Sequence, residues 1–242
     1  MLKRSVTDID QDQYRPSQPW PAQWLYDLPD GPVQGHLILA HGAGAPMDSP
    51  FMHAMAELLA ARGLGLLRFE FAYMALRRSA GGKRPPNPQG QLLDCWRGVY
   101  QQVRQQVAGP LAIGGKSMGG RMASMLADEL GADALVCLGY PFYAAGKPDK
   151  PRVAHLAELK TRSLIVQGER DALGNRATVA AYPLSSAIEL LWLTAADHDL
   201  KPLKASGFNH AQHLETAADV IATFVLKPAG FSRPLKNVAS DD

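Results

Sequence analysis

Short apolar runs alternate with amphipathic segments along most of this 242-residue chain. The apolar runs lack the polar alternation of strands that are exposed on one face, and this is typical of strands covered on both faces. Strands that alternate with helices in this way form a parallel sheet. The sequence therefore predicts an α/β fold with a mostly parallel sheet and helices on both of its faces.

The predicted elements follow one another closely. A weak edge strand is predicted at 23–28, followed by strands at 35–40, 64–71, 111–114, 134–138, 163–167 and 187–193. Helices are predicted at 51–62, 89–107, 118–130, 175–182 and 209–226, and a basic loop rich in Gly and Pro at 77–88. Ser49 is the expected N-cap of the first helix, with Pro50 at its first position and Gly63 at its end.

The length of the chain fits one large α/β domain, which we place at 20–228 because no internal repeat or linker divides that span. Residues 1–19 are polar without a period and are expected to form a loose arm. Residues 229–242 are expected to form a flexible tail.

Composition excludes several partners. The formal net charge of +2 is too small to indicate nucleic acid or an anionic membrane as a partner. No apolar run approaches the length of a membrane span. The two cysteines have no metal-ligand spacing, and the N-terminus does not read as a secretory signal. We expect a cytoplasmic protein without metal or organic cofactor.

Residues 115–119 spell GKSMG, which fits the pattern G-x-S-x-G. The letters alone would arise by chance in about one chain in ten of this length, and a Gly-rich turn that starts a helix is the plainer reading. Here an apolar strand precedes the pattern and a helix follows it. Strand, sharp turn and helix together are the context in which such a serine becomes a nucleophile, so Ser117 is the candidate.

A serine nucleophile needs a base, and the base needs an orienting acid. Asp171 follows the strand at 163–167 and is the favoured acid, with Glu169 as the alternative. Asp171 could instead cap the helix near 175 or pair with Arg170. His198 follows the last strand and is the favoured base rather than a solvent-exposed loop histidine. The order Ser117, Asp171, His198 is the chain order used by α/β-hydrolases.

An acyl-transfer site also needs donors for an oxyanion. The sequence HGAGA at 41–45 follows the strand at 35–40, and its small residues let backbone N–H groups turn toward the site. We predict an oxyanion hole from the backbone of Gly42, Ala43 and Gly44 together with the N–H of Met118. The alternative is an ordinary strand-to-helix turn, and His41 is expected to be structural.

With these residues in place, the chain resembles the α/β-hydrolase superfamily over about 35–226. More narrowly, it resembles the family that unites bacterial predicted hydrolases with the KANL3/Tex30 hydrolase-like proteins. The segments that carry the likeness are 41–52 (HGAGAPMDSPFM), 68–74 (RFEFAYM), 82–86 (GKRPP), 114–121 (GGKSMGGR), 137–142 (CLGYPF), 166–171 (VQGERD) and 197–202 (DHDLKP). The resemblance implies an α/β-hydrolase fold of about six to seven strands, with the triad on Ser117, Asp171 and His198.

The interval between the strand at 134–138 and the strand at 163–167 is too short for a large cap domain, so we expect an open site. Tyr73, Tyr140 and Phe142 are the expected substrate-lining residues. Basic residues crowd the loop that runs from Arg77 to Arg84, with two lysines near the base. They suggest an acidic substrate, although a solvated basic surface is the plainer reading.

The sequence thus predicts a serine hydrolase that cleaves an ester-like acyl bond of a small or accessible molecule through an acyl-enzyme. One alternative is a catalytically silent interaction module on a hydrolase scaffold, because fold does not imply function. Another is thioesterase, lactonase or peptidase activity on the same triad. Neither the natural substrate nor the oligomeric state follows from the residues.

Overall fold

The computed structural model describes residues 18–227. Seven strands form one sheet in the order β1-β3-β2-β4-β5-β6-β7, in which β1 is antiparallel to β3 and every other neighbouring pair is parallel. The strands are β1 Leu25–Asp27, β2 Gly35–Ala40, β3 Leu64–Phe69, β4 Leu111–Lys116, β5 Ala134–Leu138, β6 Ser163–Gly168 and β7 Ile188–Leu193. The predicted sheet is confirmed.

Helices cover both faces of the sheet. They are α1 Pro50–Ala60, α2 Ala72–Ala80, α3 Gln89–Arg104, α4 Met118–Ser124, α5 Ala127–Leu130, α6 Arg176–Val179 and α7 His210–Leu226, with 3-10 turns at Ala154–Leu156 and Lys204–Ser206. One buried cluster joins α1 and α7 to one face, and the other joins α2, α3 and α4 to the opposite face. Both clusters consist mainly of aliphatic and aromatic side chains, so the hydrophobic effect holds each layer on the sheet.

The predicted loop at 77–88 begins later than expected, because residues 77–80 are helical. Arg77 and Arg78 form the last turn of α2, which ends at Gly81 with a φ of 69°. The predicted strand at 64–71 is correspondingly shorter, because Phe71 is already the N-cap of α2. Basic side chains in the last turn stabilise a helix by facing the negative end of its dipole.

The predicted helix at 118–130 is two helices. Ser124, the last residue of α4, donates its hydroxyl to the Arg121 carbonyl oxygen at 2.8 Å. Such side-chain bonds to the preceding turn compete with the helical ladder. Leu126, the N-cap of α5, has a φ of −118°, which is far from the value of about −63° that is typical of a helix interior.

One smaller expectation also changed. Ser49 occupies the N-cap position of α1 with Pro50 after it, but its side chain makes no capping hydrogen bond. Cys95 and Cys137 are both free thiols, and Cys137 is fully buried in β5. Of the predicted termini, the arm at 1–19 lies almost wholly outside the described residues and the tail at 229–242 lies entirely outside them.

Within residues 18–227, no helix is both long enough and apolar enough to cross a membrane.

The sheet topology decides where a site can form. β2, β4, β5, β6 and β7 are parallel neighbours, so their carboxyl ends lie along one edge of the sheet. Side chains on the loops that follow these strands therefore come close together, and ligands of open α/β sheets bind at this edge.

Candidate active site

Ser117 stands between β4 and α4 in a backbone conformation that L-residues rarely adopt, with φ 52° and ψ −115°. The turn is possible only because Gly115 and Gly119, two residues away on either side, carry no side chains. A Cβ atom at Gly119 would lie 2.5 Å from the Ala40 carbonyl oxygen, and one at Gly115 would lie 2.7 Å from the Gly120 nitrogen. Non-glycine residues held this way cost about 1–3 kcal/mol each and cluster at functional sites.

Three side chains form one chain of hydrogen bonds at this turn. His198 Nε2 lies 2.9 Å from Ser117 Oγ, and His198 Nδ1 lies 2.7 Å from Asp171 Oδ2. A carboxylate can only accept, so Nδ1 carries the proton and donates it to Asp171. Nε2 is then left to accept from the serine hydroxyl, which is the protonation pattern of a general base.

Asp171 is fully buried, and three groups donate to its carboxylate. Besides His198, the backbone N–H of Leu173 donates to Oδ1 at 2.7 Å and the Gln167 side-chain amide donates to Oδ2 at 2.8 Å. The two extra bonds fix the carboxylate opposite the imidazole. Sequence reasoning missed Gln167, although a glutamine within a buried apolar strand was a visible signal.

Glu169, the alternative acid, is engaged elsewhere. Its Oε2 accepts the Ala195 N–H at 3.0 Å, and its Oε1 forms an ion pair with Arg176 at 2.8 Å. Asp171 does not cap α6, because the Asn175 side chain caps that helix by accepting from the Thr178 N–H. Arg170 donates to the Ala195 carbonyl oxygen.

The loop that carries His198 is fixed by its own hydrogen bonds. Asp197 Oδ1 accepts the N–H groups of Asp199 and Lys201 at 2.9 and 3.0 Å. A Cβ atom at Gly168 would lie 2.3 Å from the Asp197 carbonyl oxygen, so the end of β6 and this loop touch backbone to backbone. His198 is therefore held by contacts of its loop as well as by Asp171.

The loop at 41–45 lies beside Ser117. A Cβ atom at Gly42 would lie 3.7 Å from Ser117 Cβ. His41 is structural, as expected: its Nε2 accepts the Phe71 N–H at 3.2 Å, and its Nδ1 lies 2.7 Å from the Gly42 carbonyl oxygen. Burial lowers the pKa of His41, which suits a neutral ring in this role.

Tyr73 binds the same loop through its hydroxyl group. Its hydroxyl donates to the carbonyl oxygens of Gly42 and Ala43 at 3.3 and 3.0 Å. Burial raises the pKa of Tyr73 to about 12, so the donor proton is retained at neutral pH. Across a trans peptide the C=O and N–H point in opposite directions, so the N–H groups of Ala43 and Gly44 face away from Tyr73.

The predicted substrate-lining residues are not at an open surface. Tyr73 is 3% exposed, and Tyr140 and Phe142 are fully buried. The chain after β5 turns back into the core because Gln167 accepts the Tyr140 N–H at 2.7 Å. Tyr140 then donates its hydroxyl to the Arg152 carbonyl oxygen at 2.9 Å. This burial argues against direct substrate contact by the three rings.

A second serine–histidine contact exists in the protein. Ser124 Oγ lies 2.8 Å from His155 Nε2. Ser124 is 2% exposed inside α4, and among residues 18–227 no carboxylate is hydrogen-bonded to the His155 ring. It lacks both the strained turn and the acid of the Ser117 group.

The basic residues at 77–84 are partly neutralised. Arg78 forms ion pairs with Asp48 and Glu70 at 2.8 and 2.7 Å. Lys83 and Arg84 are exposed to solvent. In the described part of the chain, no group of three or more His, Cys, Asp or Glu side chains is placed to hold a metal ion.

Residues 139–162 connect β5 to β6 and contain one 3-10 turn, Ala154–Leu156, with no large cap domain. The site is accordingly partly open, and the His198 side chain is 26% exposed while that of Asp171 is not exposed at all. The prediction of a capless fold is confirmed.

A mostly parallel seven-stranded sheet, with a serine turn at the centre and an acid and a histidine on later strand ends, defines an α/β-hydrolase. The family model for the alpha/beta hydrolase domain matches residues 33–226. The chain belongs to that family.

Solved structures share this fold. A lidless α/β serine hydrolase from Xanthomonas campestris superposes with a TM-score of 0.62 at 21% identity, covering 85% of this chain and 89% of its own. Est1E from Butyrivibrio proteoclasticus gives 0.63 at 15% identity, covering 84% and 94%. An esterase domain from Rhodothermus marinus gives 0.59 at 16% identity, covering 83% and 90%. At these identities the likeness shows the fold alone.

Proposed function

We propose that the protein is a serine hydrolase in which Ser117, His198 and Asp171 act as nucleophile, base and orienting acid. The observation that carries this proposal is the continuous hydrogen-bond chain from Ser117 Oγ through His198 to Asp171, with contacts of 2.9 and 2.7 Å. It begins at a serine in a strained turn and ends at a buried carboxylate, which is the arrangement that activates a hydroxyl.

The chemistry follows from the protonation pattern. His198 takes the hydroxyl proton of Ser117 as Oγ attacks an acyl carbonyl carbon, and Asp171 stabilises the imidazolium that forms. The N–H groups of Met118 and of the loop at 42–44 receive the charge on the carbonyl oxygen. His198 returns the proton to the leaving group, and a water molecule then releases the acyl group from Ser117 by the same steps.

The proposed substrate is a small or accessible ester, so the activity is carboxylesterase-like. Residues 139–162 form no cap domain over the carboxyl ends of the parallel strands, and this supports an accessible substrate. Thioester, lactone and peptide bonds present the same carbonyl and remain alternatives on this triad. The narrower KANL3/Tex30-like assignment and the cytoplasmic location stay part of the proposal, and the free thiols of Cys95 and Cys137 support the location.

A fluorophosphonate probe tests the proposal directly, because it phosphonylates a serine only where a base activates the hydroxyl. Peptide mass spectrometry of the labelled protein should place the adduct on Ser117. An adduct on Ser124 would move the site to the Ser124–His155 pair. A folded protein that takes up no label would support the silent interaction module.

Tyr73→Phe should lower kcat by about 10-fold while KM stays within about 2-fold. Loss of one direct oxyanion donor costs about 10²- to 10³-fold, and Tyr73 acts one step away by orienting such donors. Ester hydrolysis at saturating substrate measures the change. Tyr100→Phe is the matched control, since it removes a buried hydroxyl that contacts the Gly131 carbonyl oxygen away from the site. Equal rates for both variants would contradict the assigned role.

A further inference from the structure

Lys116, the residue before Ser117, buries a charged side chain next to the site. The side chain is 9% exposed and its ammonium group lies 3.1 Å from Asp199 Oδ1. Nζ also donates to the His198 carbonyl oxygen at 2.8 Å. The triad chemistry does not use this lysine, yet the lysine contacts the main chain of the base.

The surroundings are built to accommodate the ammonium group. Gly139, with a φ of 65°, lies next to both hydrogen-bonding groups. A Cβ there would lie 2.6 Å from the His198 carbonyl oxygen and 3.2 Å from Lys116 Nζ. The Phe51 ring lies 5.5 Å from the ammonium group. A Cβ at Gly42 would lie 3.7 Å from Lys116 Cγ. One side chain thus packs against the loops of the base and of the proposed oxyanion hole.

Burial of an ammonium group is unfavourable unless its partners compensate for lost hydration. Burial lowers the pKa of Lys116, and the Asp199 carboxylate opposes that change. A methionine of similar shape would fill the same space without that cost. Packing alone therefore does not account for the charge.

Resting on the proposed function, we propose that Lys116 is a positioning residue for the base. Its ammonium group holds the main chain of His198 against the end of β4. The same group neutralises Asp199, which lies on the loop of His198.

The charges around His198 determine what this neutralisation does. Asp171 contacts the ring directly, and Asp197 and Asp199 flank it on its own loop. His210, in the first turn of α7, places Nε2 3.0 Å from the Asp199 carbonyl oxygen. Burial alone would raise the pKa of Asp199, but Lys116 and then His198 outweigh burial and lower it. Without Lys116, the Asp199 carboxylate would favour the protonated imidazole.

The test is the rate of fluorophosphonate labelling from pH 5 to pH 9. Lys116→Met should lower the rate at pH 7 by about 10-fold or more and raise the pH of half-maximal rate by about half a unit or more. The sign follows because only the neutral imidazole can take the serine proton. Lys116→Arg keeps the charge and should keep the wild-type midpoint.

Asp199→Asn in the Lys116→Met background separates charge from packing. The double variant should return the midpoint to the wild-type value, because the uncompensated carboxylate is gone. A Lys116→Met variant that loses rate at an unchanged midpoint, or a double variant that keeps the raised midpoint, would overturn the proposal. Circular dichroism checks that each variant is folded.

An NMR titration of the His198 ring gives a readout that needs no activity. The ring of Lys116→Met should lose its proton at a higher pH than the ring of the wild-type protein, and the double variant should restore the wild-type titration. If wild-type protein takes no label, the proposed function fails while this titration still decides the role of Lys116. Identical ring titrations in all three proteins would refute that role.

Discussion

Ser117→Ala should lower kcat for ester hydrolysis by about 10⁶-fold, since alanine supplies no oxygen to attack the acyl carbon. The fold should survive the change, because alanine removes only the hydroxyl and its hydrogen bond to His198. KM should change little, because the hydroxyl contributes to the reaction more than to substrate binding. Steady-state kinetics with a chromogenic ester, on protein checked by circular dichroism, measures the effect.

Ser124→Ala is the matched control for this loss. It deletes the only other described serine hydroxyl that is hydrogen-bonded to a histidine, at 2.8 Å from His155 Nε2. Its kcat should stay within about 3-fold of wild type, because the pair has no acid and no strained turn. A Ser117→Ala protein that retains substantial activity while Ser124→Ala loses it would reverse the assignment of the nucleophile.

Asp171→Asn should lower kcat by about 10⁴-fold. An asparagine amide that donates to Nδ1 forces the ring proton onto Nε2. Nε2 can then no longer accept from the Ser117 hydroxyl. The wrong tautomer cannot act as a base. Because the effect is on the chemical step, kcat should fall while substrate affinity persists.

Glu169→Gln separates the acid of the triad from its neighbour. The Glu169 carboxylate binds Arg176 and the Ala195 N–H, so its loss should relax the loop and lower kcat by less than about 10-fold. If Glu169→Gln were the more damaging change, the orienting acid would have to be reassigned. Comparing kcat of the two isosteric variants at one pH gives the answer.

Much of this arrangement could be predicted from the sequence because it depends on local patterns. Apolar runs mark buried parallel strands, and the carboxyl ends of such strands must share one edge. A serine in a Gly-rich turn, an aspartate and a histidine, each placed directly after a strand, therefore had to lie near one another. The hydrogen bonds among Ser117, His198 and Asp171 agree with that expectation.

What could not be predicted depends on tertiary contacts. Tyr140 follows β5 like a site residue, but Gln167 binds its backbone and the ring turns into the core. The start of α2 could not be predicted, because Phe71 continues the apolar pattern of β3. Lys116 appears in the sequence as an ordinary residue of the elbow pattern, and only its contact with the loop of His198, 82 positions away, distinguishes it.

The short connection at 139–162 has a kinetic consequence. Many enzymes spend part of each turnover opening a lid, and that motion sets their rate. Here Ser117 is partly exposed and, within residues 18–227, no cap domain lies between β5 and β6, so in the proposed mechanism a substrate reaches Ser117 without the opening of such a cap. Under the proposed mechanism, discrimination among substrates falls to the residues around Ser117, and water that reaches the acylated serine limits the lifetime of that intermediate.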